Sequence, residues 1–209
     1  KANHALGLFY LDAQRDGDAV PALLAAYRIR PKDFANELDL ARAFEGEGEF
    51  AEARGHVRKL LAQGESGDVE RLAGELDEKL GDPLTAVHEF ERAVQDDPSE
   101  QNYFEWGSEL LLHRAVWQAK EIFTAGVKAH PESERMMTAL GAALFGGALY
   151  DQAALRLCAA SDLDPRDAEP YLFMGRIVVV VASPLPCVTP RLERFREMQP
   201  SNPLASYYY

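Results

Sequence analysis

A small residue returns along this chain at a nearly constant interval: Gly7, Ala41, Gly74, Gly107, Gly141 and Gly175 stand 34, 33, 33, 34 and 34 residues apart. A second small residue keeps the same period as Ala19, Ala53, Ala86, Ala119 and Ala153, and a proline closes five copies at Pro31, Pro98, Pro131, Pro165 and Pro200. The second copy has Glu65 in the proline's place. Such a period argues against one central core, because each unit must bury its apolar face on its neighbours.

The fifth copy shows what one unit is. Met137, Leu140, Gly141 and Leu144 are spaced as on one face of a helix, a Gly-Gly-Ala-Leu-Tyr corner interrupts, and Ala153, Leu157 and Ala160 resume the period. Small residues at Gly141 and Ala153 let two helix backbones approach, while Leu144, Tyr150 and Leu157 fill the space between them. Pro165 ends the second helix, since proline lacks the amide donor and restricts the residue before it. Each unit is a helical hairpin, and a handful of buried side chains at roughly 1.5–3 kcal/mol each cannot order one hairpin alone.

Helix, turn and helix at this period, with Tyr103, Trp106, Gly107, Leu110, Ala119, Phe123 and Pro131 in the fourth copy, resemble the tetratricopeptide-repeat family over nearly the whole chain. The resemblance implies an all-α, right-handed α-solenoid of about six repeats, at 1–33, 34–67, 68–98, 99–131, 132–165 and 166–200, with 201–209 opening a truncated seventh. Two copies depart from the pattern. The third has Asp77 where the family has an aromatic residue, which predicts a loosely packed first helix. The sixth crowds Pro184, Pro186 and Pro190 into its corner, which predicts an irregular connection and a helix restarting near Thr189. The run Ile177 to Val181 is β-branched, yet Gly175 is in register and Pro170 suits a helix start, so the run is read as helix.

Charge narrows the partners. Residues 1–100 hold 12 Lys and Arg against 22 Asp and Glu, and 101–209 hold 10 against 12, so no basic stripe exists to hold a phosphate backbone. Acidic surface serves solubility in the first instance. The valine run falls well short of the ~20 apolar residues that cross a bilayer. Cys158 and Cys187 fall at unlike positions of the repeat, so register suggests no bridge, and two free thiols favour a reducing, cytoplasmic setting. The opening at Lys1 and the stop at Tyr209 read as those of a fragment, leaving the periplasm or secretion open.

Nothing in the sequence supports catalysis. His4, His56, His88, His113 and His130 form no metal-binding pair, neither cysteine belongs to a CxxC, and no GxSxG or phosphate-binding loop occurs, so no cofactor or metal is expected. What remains is a surface. In tetratricopeptide arrays the first helices line a concave groove, and the resemblance carries that role here to His4 and Leu8; Leu38 and Arg42; and Arg71, Glu75 and Lys79 in the first three copies. In the last three it falls on Phe104, Ser108, Leu111 and Leu112; on Thr138, Ala142 and Phe145; and on Leu172, Arg176, Val179 and Val180. The charged first half contrasts with an apolar second half, which is the candidate partner-binding face. The set with which some family members grip chaperone C-termini is replaced here by His4, Leu8, Asp39, Asp68 and Leu72, so that subtype is rejected. A scaffold binding a peptide or helix of a protein partner is the first reading; a docking arm of a larger enzyme and a homo-oligomerisation module stay open beside it.

Overall fold

The computed structural model describes residues 1–64, 66–181 and 185–203, and every regular element among them is an α-helix. Two units follow one another, divided at Pro98. The first holds α1 (Ala2–Asp12), α2 (Asp16–Ile29), α3 (Phe34–Gly46), α4 (Phe50–Leu61), α5 (Gly67–Lys79) and α6 (Pro83–Asp96). The second holds α7 (Glu100–Leu112), α8 (Val116–Ala129), α9 (Glu134–Gly146), α10 (Tyr150–Leu163), α11 (Glu169–Val180) and α12 (Val188–Met198). Within each unit consecutive helices pair as hairpins, and the second helix of one hairpin packs on the first helix of the next. Glu65, Pro184 and the residues from Leu204 to the terminal tyrosines, on which parts of the expected boundaries rest, lie outside the described residues.

The small residue of the first helix receives one large side chain of the second. A Cβ added at Gly141 would stand 2.6 Å from Cδ2 of Leu157, and one at Gly74 would stand 3.0 Å from the Phe90 ring. Leu23 crowds Gly7 and Phe123 crowds Gly107 in the same way. Leu23, Phe123 and Leu157 are almost wholly buried. The repeating glycine is thus a contact requirement, which explains why it outlasts other letters of the repeat.

Each corner of the first five hairpins turns through one residue in the left-handed region: Gln14, Gly48, Gly81, Arg114 and Ala148. The amide after each donates to a carbonyl five residues back, as from Arg15 to Tyr10 at 2.9 Å and from Leu149 to Leu144 at 2.9 Å. This is the Schellman termination, which glycine makes most readily. Three copies make it with a side chain present. In the fifth copy the left-handed residue is Ala148, one position beyond the Gly146-Gly147 pair.

The expectation that α5 is loosely packed does not hold. Asp77 is buried, and both its oxygens accept from Arg54 of α4, at 2.7 Å from Nε and 2.9 Å from Nη2. The same Nη2 donates to Glu89 of α6 at 3.3 Å. A two-pronged ion pair across three helices therefore fills the place of the missing aromatic ring.

The sixth hairpin behaves as its prolines suggest, with one consequence that register hides. In the other hairpins the second helix begins nine residues after the repeating small residue; α12 begins 13 after Gly175. The longer connection frees Cys187 from the helix and lays it on α10, where it forms a disulfide with Cys158 across a Cα–Cα distance of 6.2 Å. The expectation of two free thiols is corrected. Arg191 holds the same seam, donating to the Cys187 carbonyl at 2.8 Å and pairing with Asp162 of α10. The hydrogen bonds from Arg191, followed by its charge and by the hydrogen bond and charge of Arg194, hold the Asp162 carboxyl below its ordinary range against the opposing effect of partial burial. The valine run is helical, as expected, and α11 continues to Val180.

Candidate functional site

In the second unit α7, α9 and α11 are the first helices of successive hairpins, with α9 packed on both α7 and α11. Ser99 and Ser133 cap α7 and α9, their hydroxyls accepting from the amides of Asn102 at 3.4 Å and Met136 at 2.9 Å. These caps set the start of each helix and so the register of the candidate face.

The face is graded from buried to open. Thr138 is buried and donates its hydroxyl to Glu134, so it supports the surface from beneath. Phe104, Ser108, Leu111, Ala142, Phe145 and Leu172 are half-buried. Leu112, Arg176 and Val179 are exposed, Leu112 to 64% and Val179 to 76%. The open apolar residues thus stand on the last turns of α7 and α11, where the sequence places them, and Val178 and Val180 extend the second of these patches.

Aromatic packing explains the half-buried members. Phe145 lies 5.6 Å from Tyr150 and 5.8 Å from Phe173, ring centre to ring centre, so it joins α9 to α11 as well as facing outward. The Arg135 guanidinium lies 3.6 Å from the centre of the Phe104 ring, and its Nη1 donates to Gln101 Oε1 at 2.6 Å. Arg176 stands 5.8 Å from the centre of the Phe173 ring. Two cations therefore lie over two rings along one face. Arg135, Gln101 and Phe173 were missed by sequence reasoning; the repeat register contains the signal, since each adjoins a predicted position on its helix.

Beside these residues Glu134 is held above the ordinary carboxylate range, chiefly because it is partly buried and also because Asp167 and Glu169 repel its ionised form; the Thr138 hydrogen bond opposes them.

The corresponding residues of the first unit are mutually paired. His4 bonds Asp39 at 2.7 Å, Lys79 bonds Glu45 at 2.5 Å, and Arg71 pairs with Glu75. Leu38 is half-buried, and Leu8 and Arg42 are exposed. His4, Arg71, Glu75 and Lys79 are thus engaged within their own unit. Among the described residues no helix is long and apolar enough to cross a membrane.

No protein-family model matches the sequence, and no curated protein matches it either. Solved structures do. The structure titled as a functional characterization of Pseudomonas aeruginosa pilF is 20% identical at a TM-score of 0.72, covering 99% of this chain and 95% of that one. The C-terminal part of a TPR repeat-containing protein from Cytophaga hutchinsonii is 14% identical at a TM-score of 0.78, covering 95% and 80%. YrrB, described as a TPR protein with an unusual peptide-binding site, is 18% identical at a TM-score of 0.66, covering 89% and 96%. The repeating helical hairpins, with their small-residue contacts and these structural likenesses, establish that the fold of this chain is the tetratricopeptide-repeat α-solenoid.

Proposed function

We propose that this chain is a non-catalytic interaction scaffold and that the first-helix face of α7, α9 and α11 binds an extended peptide or a helix of a protein partner. The observation that carries the reading is the exposure of Leu112 and Val179 on a face whose half-buried members are Phe104, Leu111, Phe145 and Leu172. Apolar side chains at helical spacing next to aromatic rings give a partner anchoring pockets, while Arg135 and Arg176 offer donors at its edges. The likeness to YrrB supports peptide binding as a use of the fold.

The test is panning of a displayed random-peptide library on the intact chain and on Leu112→Asp/Val179→Asp, both changes being at exposed positions. The reading requires peptides that bind the wild type and lose at least tenfold in affinity on the variant, with unchanged helicity. Retention of the same peptides by the variant, or failure of the wild type to select any, overturns it. Phe104→Asp with Phe145→Asp should also abolish capture, but both rings are half-buried, so it needs a melting curve beside it.

A further inference from the structure

The Cys158–Cys187 disulfide is approachable at one sulfur only. Cys158 lies on α10 with 3% of its surface exposed, and Sδ of Met174 on α11 stands 3.9 Å from its sulfur. Cys187 is half-buried, ends the connection that precedes α12, and rests its sulfur 3.7 Å from the Ala154 carbonyl. Beside it is a pocket of about 310 Å³ walled by Asp151, Ala154, Leu155, Leu185, Pro186 and Cys187, so Cys187 contributes to the wall and Cys158 does not. All of these residues belong to α10 or to the connection before α12, within the second unit. The walls are apolar apart from Asp151, and the volume is near the lower limit for sites that take small molecules.

We propose that Cys187 is a site of reversible thiol–disulfide exchange with small organic thiols, which reach it through this pocket. The incoming thiolate attacks the Cys187 sulfur and the bond to Cys158 breaks; a mixed disulfide forms on Cys187, while Cys158 leaves as a thiolate and takes a proton from water. A second thiolate then attacks the sulfur that the first one brought, giving the small disulfide and the Cys187 thiolate. In the reverse direction Cys158 attacks the Cys187 sulfur of the adduct, expels the thiol and restores the bond. Attack on Cys158 instead would need an anion to enter the apolar contact between α10 and α11, which desolvation opposes. Other contacts hold α12 while the sulfurs exchange: Arg191 pairs with Asp162, Arg194 donates to the Ser161 carbonyl at 2.8 Å, and the Tyr171 and Phe195 rings stack with their centres 4.1 Å apart. The two thiols therefore stay close enough to rejoin. The site uses neither Leu112 nor Val179, so it stands independently of the peptide-binding reading.

Reduced glutathione on the whole chain tests the proposal, with acid quenching, mass spectrometry of the chain and its peptides, and circular dichroism on each variant. The species with one glutathione should carry it on Cys187 in roughly tenfold or greater excess over Cys158. Leu155→Trp, at a 65% exposed position in the pocket wall, should slow loss of the disulfide about fivefold by blocking access, whereas Leu163→Trp, on the same helix but outside the pocket, should not. With oxidised glutathione, Cys158→Ala should accumulate an adduct on Cys187, and Cys187→Ala should react roughly tenfold more slowly at the buried Cys158. A disulfide that glutathione leaves intact, an adduct found equally on both cysteines or mainly on Cys158, a Leu155→Trp chain that loses its disulfide as fast as the wild type, or a Cys158→Ala chain that takes up no glutathione would each overturn the proposal. Should Leu155→Trp lose helicity, Pro186→Trp at another exposed part of the wall takes its place, with the same slowing required. Should Cys158 displace the wild-type adduct before it can be collected, the two single cysteine variants decide.

Discussion

The guanidinium of Arg135 lies over the ring of Phe104, 3.6 Å from its centre, although the two belong to different hairpins. The arginine shields one face of a half-buried ring and ties α9 to α7. Arg135→Ala should lower stability by roughly 1 kcal/mol, within the range for such contacts. Arg135→Lys should fall between the two, because an ammonium keeps the charge without the flat stacking. Urea unfolding followed by circular dichroism checks the order; equal midpoints for all three proteins would remove the contact from the account.

Asp77 and Arg54 make a buried, two-pronged pair in the first unit. Removing Asp77 leaves the part-buried Arg54 with only its longer contact to Glu89, so Asp77→Ala should cost about 3 kcal/mol, the lower end of the range for a broken buried pair. Replacing both, as Arg54→Met with Asp77→Phe, should recover most of that loss. A double variant as unstable as the single one would show that the pair is more than a substitute for an apolar contact.

Gln14 and Ala148 hold left-handed backbone at their corners, with φ of 54° and 57°. Glycine adopts that conformation without steric cost, so Gln14→Gly and Ala148→Gly should each stabilise by about 0.5–1 kcal/mol. The same change at Ala13, whose φ is −86°, should not. Thermal melts of the three single variants separate these outcomes.

The Cys158–Cys187 bond spans 29 residues and fastens the longer connection to α10. Reduction, or Cys158→Ala/Cys187→Ala, should lower stability by roughly 2–4 kcal/mol. Adding reductant to the wild type should reproduce the melt of the double variant, apart from the small effect of the removed sulfurs. A melt unmoved by reductant would show that the bond contributes little in solution.

Glu134 keeps its proton to higher pH in the folded chain than in the unfolded one, owing first to burial and then to Asp167 and Glu169. An acid raised in this way gives its full stabilisation below its unfolded value near 4.5, and that contribution is lost as pH rises through the folded value. Glu134→Gln should therefore unfold at a higher urea concentration than the wild type at pH 7.5, with the gap narrowing as pH falls toward 4.5. A gap independent of pH would show that ionisation of Glu134 is not its source.

The helical hairpins, their period and the helical state of the valine run were legible in the sequence, because each depends on local spacing: Gly141 must sit sixteen residues before Leu157 for the two helices to meet. The candidate face was legible in outline for the same reason, since Leu112 and Val180, each five residues after the repeating glycine, hold the same side of their helices by period alone. Tertiary structure decided what depends on neighbours far along the chain. Asp77 looked like a defect until Arg54 and Glu89 closed on it from two other helices. Cys187 looked unpaired until the delayed start of α12 brought it to Cys158. Thr138 shared the register of the half-buried Phe104 and Leu172 yet is buried. A repeat fixes which side of a helix a residue occupies, but burial depends on whether another hairpin stands there, and only the packed chain supplies that.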